Sequence, residues 1–416
     1  MPQAKIHIIG AGLAGLAAAL RLADGSRRIA LYEAAPQAGG RCRSYFDSAL
    51  DMMIDNGNHL LLSGNCAALS FLREIGAEDQ LKGPESAEFS FVDLASNERW
   101  VLRPNDGPIP WWILQPPRRV PGTRARDYLG VLGLLRAPKA TSIQAAMPCH
   151  GLVYERLWRP FFLAALNTAP EEGAASLAAT ILRETLAKGG KACRPLIAAN
   201  GLSEAFVAPA LRCLKAKGVE VAFERRLSVL ELGDHRVNAL GFGSERIEVA
   251  AGDCVILAVP ATVAASLLPG LSTPQAYRAI VNGHFKIAPP PDCPPILGVI
   301  HGTIEWLFAF PDRVSVTISA ADRLIDLPRE ELAARIWSDV AQAIQIARPL
   351  PAWQIIKEKR ATFAATVEDE VARPQARTEF ANLLLAGDWT ATGLPATIEG
   401  AIRSGFTAAA AFLHSA

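Results

Sequence analysis

A chain of 416 residues, half of them hydrophobic and a fifth charged, is too apolar for a disordered protein and too long for a single growing core, so two domains are expected. A formal net charge of +1 supplies no global field for nucleic acid, and no nucleic-acid partner is expected. Seven cysteines without a C-x-x-C pair argue against a disulfide framework and a zinc knuckle, so no metal is expected and a cytoplasmic setting fits best.

In chain order, residues 5 to 9 read as a buried strand, 13 to 23 as an Ala/Leu-rich helix, and "IALYE" at 29 to 33 as a second strand. The opening carries no signal-peptide pattern. Gly10, Gly12 and Gly15 form G-x-G-x-x-G between the first strand and the helix. The first glycine allows a tight turn, the second a close approach of backbone to pyrophosphate, and the third close helix–strand packing. Glu33 stands where an acid would accept from an adenosine ribose. "GGRCRS" at 39 to 44 puts Arg41 and Arg43 within reach of the same phosphates, although solvated arginines after a glycine turn would read alike.

Residues 66 to 194 read as helical and rich in Trp, Pro and Arg. An α/β pattern resumes near Asn200, with a helical "GLSEAFVAPALRCLKAKG", then "VEVAF", hairpin-like runs and "CVILAVP" at 254 to 260. The longest uncharged window, 254 to 277, is broken by Pro260, Pro269 and Pro274, so no transmembrane helix is expected. Residues 285 to 378 mix prolines, short strands and one amphipathic helix near 328 to 347, before "NLLLAG" and a helix after Pro395. The expected fold class is α/β: a discontinuous Rossmann-like nucleotide-binding domain over 1–65, 195–284 and 379–416, with an inserted α+β substrate domain from 66–194 and 285–378.

The first loop alone leaves NAD and FAD open. The far end of the chain, "LLAGDWTATGLPATIEGAIRSG", argues for FAD, a long ligand that needs a second place of close backbone approach. There a strand ends in Gly387-Asp388, whose carboxylate could accept from a ribityl hydroxyl, ahead of a helix whose first amides face the flavin. A capping Asp would explain Asp388 but not the coincidence of both ends.

"IIGAGLAGLAAALRL", "YEAAPQAGGRCRS", "GLSEAF" and "AGDWTATGLPATIEGAIRSG" together resemble the flavin amine oxidase and phytoene desaturase superfamily over the whole chain. More narrowly, "DNGNHLLLSGN", "LWRPFFLAALNTAPEE", "VILAVPATVAASLLPGL" and "GDWTATGLPATIEGA" are similar to bacterial hydroxysqualene dehydroxylases. The resemblance implies that Gly10, Ala11, Gly12, Ala14 and Gly15 line the pyrophosphate, with Gly40, Arg41 and Arg43 completing it, and that Glu33 holds the ribose. It also implies that Leu227 meets adenine, that Gly387 and Asp388 serve the ribityl chain, and that Glu399, Gly400 and Ala401 begin the flavin-facing helix. Asn56, Gly57, Asn58 and His59 match the stretch passing the isoalloxazine ring.

The implied activity is removal of the hydroxyl of a hydrophobic C30 isoprenoid, hydroxysqualene, by reduced FAD, which requires an electron donor. Its catalytic candidates are His59, a group that titrates near neutrality, as acid and Asn167 as a partner for the hydroxyl. A carotenoid-type desaturase or an amine oxidase would share the glycine motifs, but an amine cage needs an aromatic residue where Thr397 stands. Residues 117 to 139, with six basic residues, one acid and a Leu-rich centre, together with "IPWWILQ" before them, suggest peripheral contact at the inner face of the membrane. A core helix with solvated arginines would read the same.

Overall fold

The structure, a computed structural model, describes residues 4–25 and 27–414. Two sheets organise it. The first has five parallel strands, in the order Glu220–Ala222, Arg28–Tyr32, Lys5–Ile9, Cys254–Leu257 and Leu383–Leu385. Near-continuous apolar runs such as "KIHII" and "CVIL" suit strands covered on both faces. Helix Leu13–Leu22, with Ala at 14, 17, 18 and 19, presents so little bulk that the closing helix Ile398–Leu413 crosses it in direct contact. At that crossing a Cβ on Gly405 would stand 2.2 Å from the Ala14 carbonyl oxygen.

The second sheet has seven strands, in the order Trp353–Phe363, Tyr277–Phe285, Val314–Ile318, Trp306–Ala309, Ile296–Ile300, Phe89–Asp93 and Arg99–Leu102. Every pairing is antiparallel except that of Ile296–Ile300 with Phe89–Asp93. One face buries Val281, Leu307 and Val316 under helix Arg329–Ala343. The other carries Phe91, Trp306 and Phe308 into a core shared with the helical segment, through Trp158, Phe162 and Leu177.

This layering departs from the expected elements in one place and from the expected boundaries in two. Residues 66–194 are not only helical, because alternating "FSFVD" and "RWVL" supply two strands to the second sheet. Tyr277–Phe285, assigned by position to the nucleotide-binding part, pairs instead with Val314–Ile318 and Trp353–Phe363. Helix Cys66–Glu74 buries Ala68, Phe71 and Leu72 in the core of the first sheet and so belongs with it. Among the described residues all seven cysteines are free, no cluster could hold a metal ion, and no helix is long and apolar enough to cross a membrane.

Candidate active site

The first strand ends in a turn at Gly10, whose φ of +103° favours glycine and whose Cβ would lie 2.3 Å from the Ala258 carbonyl oxygen. Gly15 lets the following helix lie on that turn, since a Cβ there would meet the Gly10 carbonyl oxygen at 1.9 Å. Gly12 differs. It is the N-cap of the helix, and no atom lies within 4 Å of the place its Cβ would take. Close packing at 10 and 15 around an opening at 12, at the positive end of a helix, is the cradle that a pyrophosphate fills.

Glu33 is held in place beside it. Its two carboxylate oxygens accept the Ala11 and Ala35 amides, each at 2.8 Å, leaving further lone pairs for ribose hydroxyls. The Arg225 amide donates to the Glu33 carbonyl at 2.8 Å and the Glu224 amide to the Ala35 carbonyl at 3.2 Å, which brings the segment leading to Leu227 alongside. Leu227 itself is buried with Tyr32 and Phe242. Ala11 corrects the sequence expectation, being buried with its amide spent on Glu33 and its carbonyl on Gly39. Ala14 is buried with its carbonyl against the closing helix, while its amide lies in the first turn, ahead of Leu16, the first amide to bond back along the helix.

Gly40, at φ +59°, sits over the loop, where its Cβ would be 3.5 Å from Gly12 Cα. Arg41, half-exposed, reaches the other end of the chain, pairing through Nη2 with Asp388 Oδ2 at 2.6 Å while Nη1 donates to the Ala361 carbonyl at 2.7 Å. The two motifs read separately in the sequence thus meet in one ion pair. Arg43 contributes its carbonyl to the Asn56 amide at 2.9 Å.

Around Asp388 the chain is fixed from several sides. Gly387 donates to Ser404 Oγ at 2.8 Å, and its Cβ would stand 2.3 Å from Trp389 Nε1, which donates to the Val259 carbonyl. Arg373, fully buried and paired with Glu370, donates to the carbonyls of Asp388 and Thr390 and to Thr392 Oγ1. Sequence reading missed Arg373, and nothing in its local pattern marks it.

The closing helix is capped by Thr397, whose Oγ1 accepts the Gly400 amide at 3.0 Å, while the Ala401 amide donates to the Thr397 carbonyl. The Gly400 and Ala401 amides are therefore committed to the helix. Glu399 also departs from expectation. Its carboxylate turns inward, accepts the Ala67 and Ala68 amides at 2.9 and 2.8 Å, and pairs with Arg403 at 3.0 Å. It caps helix Cys66–Glu74, so its carboxylate is committed to protein groups.

The segment Asn56 to His59 lies against the second sheet. Register places Asn282 and Thr317 opposite one another and Thr317 opposite Trp306. Asn58 Nδ2 donates to the Val316 carbonyl and to Thr317 Oγ1, at 3.1 and 3.2 Å, and Thr317 Oγ1 donates to Asn282 Oδ1 at 2.8 Å. A Cβ on Gly57 would approach Asn282 Nδ2 to 3.0 Å. The Asn58 side chain thus anchors the segment to the sheet and is not free for a ligand. An Asn within the strand pattern "AIVNGHF" was the available signal for Asn282.

His59 Nδ1 lies 2.9 Å from the Gly57 carbonyl, so that nitrogen donates and carries the proton of the neutral ring. Burial holds its pKa below the ordinary 6.5, against the opposing pull of that hydrogen bond and of Asp55. The resting imidazole is neutral. His59 lines a narrow cavity with Asp55, Asn58, Ile197, Leu202, Phe308 and Phe310. The Asp55 carboxylate is already engaged by Ser44 Oγ and the Leu202 amide, at 2.6 and 2.8 Å.

Asn167 is excluded from direct chemistry. It ends helix Arg159–Leu166 in the left-handed conformation and is buried, its Oδ1 accepting the Ala320 amide at 2.7 Å and its Nδ2 donating to Thr362 Oγ1 at 2.9 Å. It ties a helix end to the sheet.

Comparison with known proteins places this geometry. Residues 13–413 match the family model described as flavin containing amine oxidoreductase. The chain is 55% identical to hydroxysqualene dehydroxylase of Rhodopseudomonas palustris and 52% identical to that of Sinorhizobium fredii, covering 97% and 98% of both chains respectively. Its fold is shared with a crystal structure of an oxidoreductase from Methanosarcina mazei at a TM-score of 0.73 and 16% identity, over 97% of this chain and 99% of the other. A dinucleotide cradle within a flavin family identifies the cofactor as FAD. The chain belongs to the flavin-containing amine oxidoreductase family and, within it, to the hydroxysqualene dehydroxylases.

Proposed function

We propose that this protein removes the hydroxyl of hydroxysqualene reductively, giving squalene and water. The single observation that carries the mechanism is His59, at the end of the segment matched to the isoalloxazine stretch, in a narrow cavity whose apolar walls are Phe308, Phe310, Ile197, Ala198 and Leu202 and whose other polar lining is Asp55 and Asn58. Gly12, Glu33, Gly40, Arg41, Arg43 and Asp388 would hold the cofactor along its length, with Leu227 near its adenine. When bound and reduced, FAD supplies a hydride, and the two electrons come from a separate donor.

The chain's own task is to make hydroxide a tolerable leaving group and to keep bulk water out. An allylic C–O bond breaks when the oxygen gains a proton, leaving as water and placing positive charge on the allylic carbons. His59 is suited to pass that proton. Charging it in a buried site is costly, so its protonated form is a strong acid, and the cost is recovered as the proton moves to the departing oxygen. The aromatic and aliphatic walls exclude water, which would otherwise capture the cation and return the alcohol. Thr397, where an amine oxidase would carry an aromatic cage residue, caps a helix. A substrate this apolar is collected from a lipid phase, so peripheral membrane contact belongs to the same reading.

The test is turnover in D2O by the holoprotein with dithionite as reductant. Squalene carrying a single deuterium is expected, because the transferable hydrogen of reduced flavin exchanges with solvent. Absence of squalene, together with oxidation of an amine or desaturation of a polyene by the oxidised protein, would overturn the proposal.

A further inference from the structure

The region from 107 to 152 breaks the usual rule that large apolar side chains on a surface are scattered. Six of the fourteen exposed large hydrophobic residues among those described fall within it: Ile109 (75% exposed), Leu114 (67%), Leu129 (56%), Leu152 (46%), Leu132 (45%) and Trp111 (43%). The elements that carry them pack on one another. Short turns at Trp111–Leu114, Pro116–Arg118 and Ala125–Val131 lead into helix Leu132–Arg136, and Trp112 meets Tyr128 edge-on with ring centroids 5.3 Å apart. The Tyr128 hydroxyl accepts the Val120 amide at 2.9 Å, and a Cβ on Gly122 would come within 3.5 Å of Leu152 Cδ1. Trp112, Tyr128 and Leu134 therefore face inward as a core, while their neighbours Trp111, Leu129 and Leu132 face out.

The charge of the same region is one-sided. Residues 107–152 hold six Lys or Arg against a single Asp, a formal +5 in a chain whose total is +1. Arg124, Arg126, Arg136 and Lys139 are exposed. Asp127 is taken up by the Arg124 amide at 2.7 Å and by Arg126, 3.9 Å away. Arg118 lies over the Trp111 ring at 4.8 Å. Asp106 and Glu155 stand just outside the segment at either end.

We infer that this face docks on an anionic phospholipid surface, with Ile109, Trp111, Leu114, Leu129, Leu132 and Leu152 entering the headgroup–acyl boundary and the arginines meeting lipid phosphates. Exposed apolar side chains interleaved with cations are the combination such an interface selects. A second copy of the chain is a poorer occupant, because a symmetric contact would set +5 against +5. Beneath the face, Trp112, Tyr128 and Leu134 belong to one continuous apolar core with Ile197, Phe308 and Phe310, which border His59. Docking here sets the lipid phase over that core. The inference rests on the proposed apolar substrate for its purpose, but on the exposed side chains and charges for its location.

The test is flotation of the FAD-loaded protein with vesicles of phosphatidylcholine alone and of phosphatidylcholine with phosphatidylglycerol. Binding to the anionic vesicles that weakens as salt rises is expected. The variants Ile109→Ser/Leu114→Ser/Leu129→Ser and Arg124→Glu/Arg126→Glu should each bind roughly tenfold less or weaker still. Their FAD content, melting temperature and turnover of micellar hydroxysqualene should match the parent, which separates lost docking from lost folding. Parent protein left unbound by anionic vesicles, variants that float equally well, or a stable dimer that occludes this face would overturn the inference. Vesicle binding without turnover in micelles would uphold docking and refute the reaction instead.

Discussion

Replacing Gly12 with Asp should abolish cofactor binding while leaving the empty protein as stable as before. Gly12 has φ −72° and ψ 176°, which any residue adopts, and its Cβ would meet nothing within 4 Å, so the substitution adds neither strain nor overlap. Asp is also a better N-cap than Gly by a few tenths of a kcal/mol. In the loaded protein, however, that carboxylate would share the cradle with a pyrophosphate. At ~5 Å and an effective dielectric of ~20, each phosphate charge is repelled by about 3 kcal/mol, enough to weaken FAD binding at least ~100-fold. Isothermal titration of FAD into apoprotein reads the first effect, and urea unfolding of apoprotein the second. Retained affinity would refute the placement of the pyrophosphate at Gly12, and an apoprotein weakened by more than about 1 kcal/mol would refute the claim that the space is open.

Gly15→Ala should do the reverse, because its Cβ would collide with backbone at the Gly10 carbonyl. A loss of about 1–3 kcal/mol in the apoprotein is expected by urea unfolding, and an unchanged midpoint would contradict it. The rate should respond to pH through His59. Its lowered pKa means that the proton-bearing form grows as pH falls below 6.5, so kcat/KM should rise on the acid side and His59→Gln should flatten the profile; a parent profile that is already flat would remove His59 from the proton path. Stability should move the other way. Burial lowers His7 and His284 to about 4, so both are neutral in the folded chain above 6.5 and the unfolded chain binds more protons below it. Urea unfolding should be insensitive to the two histidines above pH 6.5 and lose on the order of 3 kcal/mol for each as pH falls toward 4. A stability curve flat across that window would show that neither ring is buried uncharged.

The nucleotide-binding half was legible because its signals are local. A strand, three glycines and a helix lie within a few residues of one another, and Gly15 is required by a contact made inside that stretch, with the Gly10 carbonyl. The partner of Arg41 was not legible, since it requires the last strand to lie two places from the first across Cys254–Leu257. The same limit misassigned Tyr277–Phe285, an ordinary strand in sequence whose sheet is decided by pairing with Trp353–Phe363. Motif resemblance singled out Glu399, Asn58 and Asn167 but said nothing of where their polar atoms point. All three spend them on other parts of the protein. Arg373 and Thr317 left no trace for a similar reason, as a polar residue that organises a distant loop looks locally like any other.

The central claim is that electrons flow from the flavin to the substrate. Holoprotein reduced anaerobically and mixed in a stopped-flow instrument with micellar hydroxysqualene reports this directly, through flavin absorbance and product mass together. The account predicts one flavin reoxidised for each squalene formed. A flavin that stays reduced while substrate is unchanged, or an oxidised flavin that becomes reduced as an isoprenoid loses hydrogen, would contradict it.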